Sequence, residues 1–209
     1  MKQQGFTVVE LMVALAIGGI LTMLVVPGVR ALIGNNRLTA YTNDFVTHAL
    51  LARNEAMRRG RTVIICGSAQ PELTDPDCFN SNTIVTWSKG WFVFVDANDN
   101  GVHDAAEEIL RRQVINDSKT TVKINFSLAG GTSRIAYSAR GMLDNDHSFI
   151  SATSEVPIAL AICNDNTENS GRIIWINRVG RAWLRDKGER SNPLAAGNCT
   201  TPAVESASL

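Results

Sequence analysis

Residues 5–29 read GFTVVELMVALAIGGILTMLVVPGV, and within them residues 11–26 carry no charge. From Phe6 to Val29, 24 residues are interrupted by one charged side chain, Glu10. A helix of that length rises roughly 36 Å, enough to cross a bilayer core of about 30 Å. A secretory signal would be a short apolar run closed by a small-residue cleavage site. Here the polar leader is only Met-Lys-Gln-Gln-Gly and no such site follows the apolar run, so the segment is expected to be retained. Lys2 favours a cytoplasmic start, and Arg30 on the far side is a weak counter-signal.

Glu10 is the residue that does not fit a plain membrane anchor. A carboxylate near the start of an apolar helix costs kilocalories unless something pairs with it. A cut after Gly5 would give Phe6 a new α-amine within one turn of Glu10. That amine could neutralise the carboxylate, most usefully on a neighbouring copy of the helix. The alternative is an acid at an ordinary helix N-terminus, held there by the macrodipole.

The remainder excludes more than it assigns. The chain has 209 residues, 20 basic and 20 acidic side chains, no net charge and 44% hydrophobic residues. That is enough apolar material for a packed core, so wholesale disorder is excluded, and the length suits one domain with an appendage. A generally basic nucleic-acid coat is excluded too, although a local patch could survive the average. The four Cys form no CxxC pair, and the three His (48, 103, 147) are scattered. There is no GxxxxGK[ST], HExxH or GxSxG, so neither a zinc ribbon, a thioredoxin-type site nor an enzyme is indicated.

Downstream of the apolar run, Leu38, Tyr41, Phe45, Ala49, Ala52 and Ala56 recur at three- and four-residue spacing. This predicts an amphipathic continuation of the helix, stopped at Gly60 after Arg58 and Arg59. From Phe6 to Arg59 an unbroken helix would be roughly 80 Å long. Short runs rich in Val, Ile, Trp and Phe then follow, separated by Gly, Asn, Asp and Ser. They predict strands at 62–66, 83–87, 91–95, 109–114, 122–128, 134–137, 158–163, 172–177 and 181–184. With no further helical period, these imply antiparallel sheets covering the apolar stripe of the helix.

Gly5-Phe6-Thr7-Val8-Val9-Glu10 before a long apolar run resembles the class III signal of type IV pilins and pseudopilins. The run from Leu51 to Val63, Gly90-Trp-Phe-Val-Phe-Val-Asp-Ala-Asn and Gly180-Arg-Ala extend the likeness to minor pilins and pseudopilins of the FimT, FimU and GspH type, over about residues 1–185. The resemblance implies an α+β, pilin-like fold: a long N-terminal helix, membrane-spanning in its first half, packed on antiparallel β-sheets. It implies a leader at 1–5, a transmembrane or filament-core helix at 6–29, its amphipathic continuation at 30–60, a β-rich periplasmic domain at 61–190 and an irregular tail at 191–209. It also implies cleavage between Gly5 and Phe6 by prepilin peptidase, N-methylation of Phe6 and assembly guided by Glu10. Gly18, Gly19 and Pro27 fall where helices of the family are kinked or melted; Pro breaks the hydrogen-bond ladder and Gly weakens it. The expected location is the bacterial inner membrane, single-pass with a periplasmic C-terminal domain, and then an extracellular fibre of major and minor pilins.

Three constellations lie in the β-rich part. The run from Asp96 to Glu107 fits D-x-[DN]-x-[DN]-G-x5-E, with candidate calcium ligands at Asp96, Asn98, Asn100, Val102, Asp104 and Glu107. The same composition suits any hairpin loop, and the flanking helices of an EF-hand are missing. The four Cys permit three pairings; Cys66–Cys78 and Cys163–Cys199 are favoured, since each closes a turn-rich insertion leaving a strand in an oxidising compartment. Residues 171–190 hold six basic side chains against two acidic, with Trp175 and Trp183 interleaved. Arg178, Arg181 and Arg185 are candidate DNA contacts; the alternative is a solvated strand with Trp in the core. Some FimT-type pilins bind DNA through Gly-Arg-x-Arg, but here Trp183 stands at the second Arg position and the next Arg is Arg185.

The expected function is therefore that of a structural subunit: a minor type IV pilin needed to prime or tip the pilus, and hence for twitching, adhesion or DNA uptake. A type II secretion pseudopilin and a DNA-binding receptor for transformation are the alternatives. No cofactor is required; calcium and DNA are the candidate ligands.

Overall fold

Thr7 opens the helix. Its hydroxyl accepts from the Glu10 amide at 3.3 Å and its carbonyl from the Leu11 amide at 3.2 Å. Thr7 and Glu10 thus stand at the first and last positions of a capping box. The helix, α1, runs from Val8 to Arg59. It stops where Gly60 turns into the left-handed region at φ +65°, and the Ala56 carbonyl accepts the amides of Gly60 and Arg61. In this computed structural model the described residues are 7–78, 87, 89–116, 120–125, 134–144, 158–164 and 171–185.

The chain forms two compact units, Met1–Arg37 and Leu38–Leu209. In the first, apolar side chains from Val8 (75% exposed) to Met23 (82%) face outward. α1 is helical through Gly18, Gly19 and Pro27. A proline removes one hydrogen bond from a ladder that long neighbouring turns still hold. Among the described residues no helix is long and apolar enough to cross a membrane.

The second unit begins where burial begins. Leu38, Phe45, Ala49, Ala52 and Ala56 of α1 are each no more than 2% exposed. Among the described residues eight strands follow: β1 Thr62–Gly67, β2 Gly90–Asp96, β3 Ile109–Val114, β4 Thr120–Asn125, β5 Arg134–Tyr137, β6 Ile158–Asn164, β7 Arg172–Ile176 and β8 Ala182–Arg185. They form two four-stranded sheets, in the orders β3-β2-β1-β5 and β4-β6-β7-β8. Every pairing is antiparallel. The predicted strand at 83–86 lies outside the described residues. Trp87, at its end, is a core side chain packed beside Phe45.

One face of each sheet joins the α1 stripe in a single core, through Val63, Ile65, Trp91, Val93, Ile135 and Tyr137 from the first sheet and Val122, Leu160, Ile162, Ile174 and Ile176 from the second. The first sheet has a second buried face, made of Ile64, Cys66, Phe92, Phe94 and Ala136. Consequently β1 and β2 are buried at every residue. An antiparallel sheet usually wets one face. Here Cys78, at the end of a strap formed by residues 68–78, Ile109 and His103 pack against it: the imidazole stands edge-on to Phe92 and Phe94, with ring centroids 5.2 and 5.1 Å away.

Candidate functional site

Gly5 and Phe6, the expected processing residues, lie outside the described residues. Glu10 sits in the exposed first turn of α1, where the unpaired amides favour an acid. This agrees with the plain helix-start reading and leaves the carboxylate accessible to a neighbour.

The strap is fastened at several points. Cys66 and Cys78 are joined by a disulfide with Cα atoms 5.6 Å apart. The Arg112 guanidinium, on β3, donates to the carbonyls of Glu72 (3.3 Å), Leu73 and Thr74 (2.9 Å). His103 Nδ1 lies 3.3 Å from Asp75 Oδ1. Cys163 is buried and disulfide-bonded; Cys199, its expected partner, lies outside the described residues. The strap as a layer was not foreseen from sequence. Its signal was present in TVIIC and WFVFV, which show no polar alternation and so announce burial on both faces.

The loop at 96–107 closes on its own polar groups. The buried Asp96 carboxylate accepts the amides of Asn100 (3.2 Å) and Gly101 (2.7 Å). Asn98 and Asn100 side-chain amides donate to Asp104 Oδ2 at 2.8 and 3.0 Å. Glu107 accepts the amides of Ala97 and Asp104. Val102, the expected carbonyl ligand, donates its amide to Asn100 Oδ1 at 2.7 Å. The hard oxygens are therefore present but spent on the loop. Among the described residues no group of three or more His, Cys, Asp or Glu is placed to hold a metal ion.

A third cluster joins two turns. After β5, the Gly141 amide donates to the Ser138 carbonyl at 2.8 Å; between β7 and β8, the Gly180 amide donates to the Asn177 carbonyl at 2.8 Å. The turns meet through backbone, with the Leu143 amide on the Arg178 carbonyl at 3.0 Å. A Cβ at Gly180 would stand 2.3 Å from the Gly141 carbonyl oxygen. Arg53, from α1, donates to that same carbonyl at 2.8 Å. Arg178 and Arg181 are exposed on this joint, together with Arg140, which sequence reading overlooked because it lies 38 residues or more away along the chain. The side chain of Arg185 lies outside the described residues. Beneath the joint Tyr137 is buried, and burial pushes its phenol well above the usual range.

Further contacts lock α1 to the first sheet. Trp91 Nε1 donates to His48 Nδ1 at 3.0 Å, which requires a neutral imidazole. Burial lowers the His48 pKa, Asp44 opposes that shift and Arg111 adds to it. Arg59 donates to Glu55 (2.7 Å) and to both oxygens of Glu108 (2.5 and 3.2 Å). Its pKa is raised, first by Glu108.

Residues 41–180 match the family described as Type II transport protein GspH, and residues 1–26 match the prokaryotic N-terminal methylation motif. Among solved structures, the type IV minor pilin FimU of Pseudomonas aeruginosa PAO1 is 20% identical. It superposes with a TM-score of 0.53 over 78% of this chain and 96% of FimU. Another crystal form of FimU gives 0.47 over 79% and 97%, also at 20% identity. The minor pseudopilin EpsH of the Vibrio cholerae Type 2 Secretion System is 11% identical, with a TM-score of 0.46 over 72% of this chain and 98% of EpsH. At 20% identity the first likeness to FimU is a likeness of fold. No curated protein matches the chain.

Proposed function

Since the chain belongs to the GspH family and bears the prokaryotic N-terminal methylation motif, and is thus a minor pilin or pseudopilin, we propose that it is a minor subunit of a type IV pilus, acting in the priming or tip complex. Prepilin peptidase cuts between Gly5 and Phe6 and N-methylates Phe6. The helix is stored in the inner membrane with the β-rich unit in the periplasm, and then leaves it to pack among the helices of other minor and major pilins in the fibre.

What supports the reading, as far as a minor pilin or pseudopilin, is the coincidence, in one chain, of the motif at 1–26 with the family match at 41–180. The exposed apolar side chains of Val8 to Met23 support it, since they need lipid or other helices around them. Glu10 then has a use: inside apolar surroundings its charge is costly until the methylated Phe6 amine of a neighbour meets it. No catalytic role and no resident cofactor belong to this reading.

The test is mass spectrometry of the mature protein from cells with an active prepilin peptidase. The expected N-terminus is N-methylated Phe6; a chain that keeps residues 1–5 would overturn the proposal. A type II secretion pseudopilin is the second reading, favoured by the description of the matched family. Deletion of the gene separates the two: loss of pili with secretion intact supports the pilus, and the reverse supports the secretion apparatus.

A further inference from the structure

Asn100-Gly101, in the loop between β2 and β3, is the only Asn-Gly pair in the chain. With no side chain on the following residue, its amide nitrogen is free of steric cover and can reach the asparagine carboxamide. In that reaction the Gly101 nitrogen bonds to Asn100 Cγ and the Cγ–Nδ2 bond breaks. The amide proton leaves with Nδ2 as ammonia, and a five-membered imide remains. Water then opens the imide at either carbonyl, leaving aspartate or isoaspartate at position 100. No co-reactant other than water is needed.

The fold treats the two reacting groups differently. Asn100 is exposed, so its carboxamide meets solvent, whereas Gly101 is buried. The Gly101 amide donates to Asp96 Oδ2 at 2.7 Å, and Asp96 is only 1% exposed. Attack would make that amide give up its proton and gain negative charge beside a carboxylate, which like charge opposes. The carboxamide is pinned at both ends: Oδ1 accepts the Val102 amide at 2.7 Å, and Nδ2 donates to Asp104 Oδ2 at 3.0 Å. The Asn100 amide in turn donates to Asp96 Oδ1 and Asn98 Oδ1, both at 3.2 Å. The imide keeps neither the Gly101 N–H nor the Asn100 Nδ2, so its formation forfeits the bonds each of them makes.

We infer that Asn100 is a covalent modification site, a deamidation site that Asp96 keeps closed while the loop is folded. Once modified, the loop cannot close as before. A carboxylate at position 100 sets acceptor against acceptor at Asp104, where Asn100 now donates. Isoaspartate also adds a methylene to the main chain and so displaces the Gly101 amide from Asp96. The same loop carries His103, whose imidazole stands edge-on to Phe92 and Phe94, so the modification loosens the packing on the second face of the first sheet. The chemistry belongs to this chain alone and is independent of the fibre reading.

The experiment is peptide mapping by mass spectrometry of the full chain, incubated in detergent micelles at mildly alkaline pH. The fraction of aspartate and isoaspartate at position 100 is followed over time. In the folded wild-type chain, conversion is expected to be about a hundredfold slower than in the same chain unfolded by urea. Asp96→Ala frees the Gly101 amide and is expected to speed conversion in the folded chain by about tenfold or more. Gly180→Ala weakens the fold at the joined turns, outside this loop, and is expected to leave the rate at the wild-type value. Circular dichroism checks that each variant is folded. Should Asp96→Ala not be, Asp104→Ala takes its place; it releases the carboxamide on the exposed side and is expected to speed conversion by about threefold or more. Equal rates in the folded and unfolded wild-type chain overturn the inference. So does an acceleration by Gly180→Ala as large as that by the loop variant, which would trace the reaction to global unfolding. An unchanged or slower rate in the loop variant overturns it as well, since the carboxylate would then be no barrier, or would be the base that starts the attack.

Discussion

Gly180 holds φ at +77° with the Gly141 carbonyl oxygen where a Cβ would go. Strain and overlap then add at a single residue, so Gly180→Ala is expected to cost about 2–4 kcal/mol, at the upper end for point mutants. Urea unfolding checks it; a loss under about 0.5 kcal/mol would mean that the turns move apart freely. His48 makes a prediction in pH. Its folded pKa lies below the ordinary 6.5 because burial disfavours the cation. The unfolded state therefore binds the proton first as pH drops, and the contribution of His48 to stability, complete above pH 6.5, declines as pH falls through that value towards the lowered one. His48→Gln, whose amide oxygen can still accept from Trp91, should flatten the fall in melting temperature between pH 7.5 and 5. An unchanged slope would assign the pH dependence to other groups.

Among elements, the strap and the 96–107 loop differ in how they are held. The strap carries few backbone bonds of its own and depends on the Cys66–Cys78 crosslink, twelve residues apart. Loop entropy puts that crosslink at about 3 kcal/mol, and Cys66→Ser with Cys78→Ser should lose that much. Dye binding to newly uncovered Phe92 and Phe94 should accompany the loss, since Cys78 packs against their cluster. If the dye signal stays at the wild-type level, something else shields that face. The loop instead hangs on Asp96. Asp96→Ala leaves the Gly101 amide without its acceptor and the Asn100 amide with Asn98 Oδ1 alone, and is expected to cost about 1–3 kcal/mol. Because the oxygens already serve the loop, the same cost should be read with and without a calcium chelator; a chelator-dependent melt of the wild-type chain would show that a cation competes for them.

For the whole molecule, the buried apolar core among the described residues lies wholly beyond the division at Arg37/Leu38, while the described apolar side chains of α1 before it are exposed. Glu10→Ala should therefore leave the melting of the Leu38–Leu209 unit unchanged while abolishing incorporation into fibres in cells; normal piliation by this variant would refute the role proposed for Glu10. The course of α1, its end at Gly60, and the places of nearly all the strands were legible in the chain, because helix caps, turns and apolar periodicity act between residues a few positions apart. The paired motif at Gly5, Phe6 and Glu10 was legible for the same reason. Sequence alone determined, then, that a long apolar helix leads a β-rich unit. Tertiary structure alone decided that the strap makes the first sheet a middle layer, that Arg53, Gly141 and Gly180 meet, and that Arg140 joins Arg178 and Arg181. Those contacts unite residues dozens of positions apart, and their energy comes from burial and backbone pairing that exist only once the sheets have assembled.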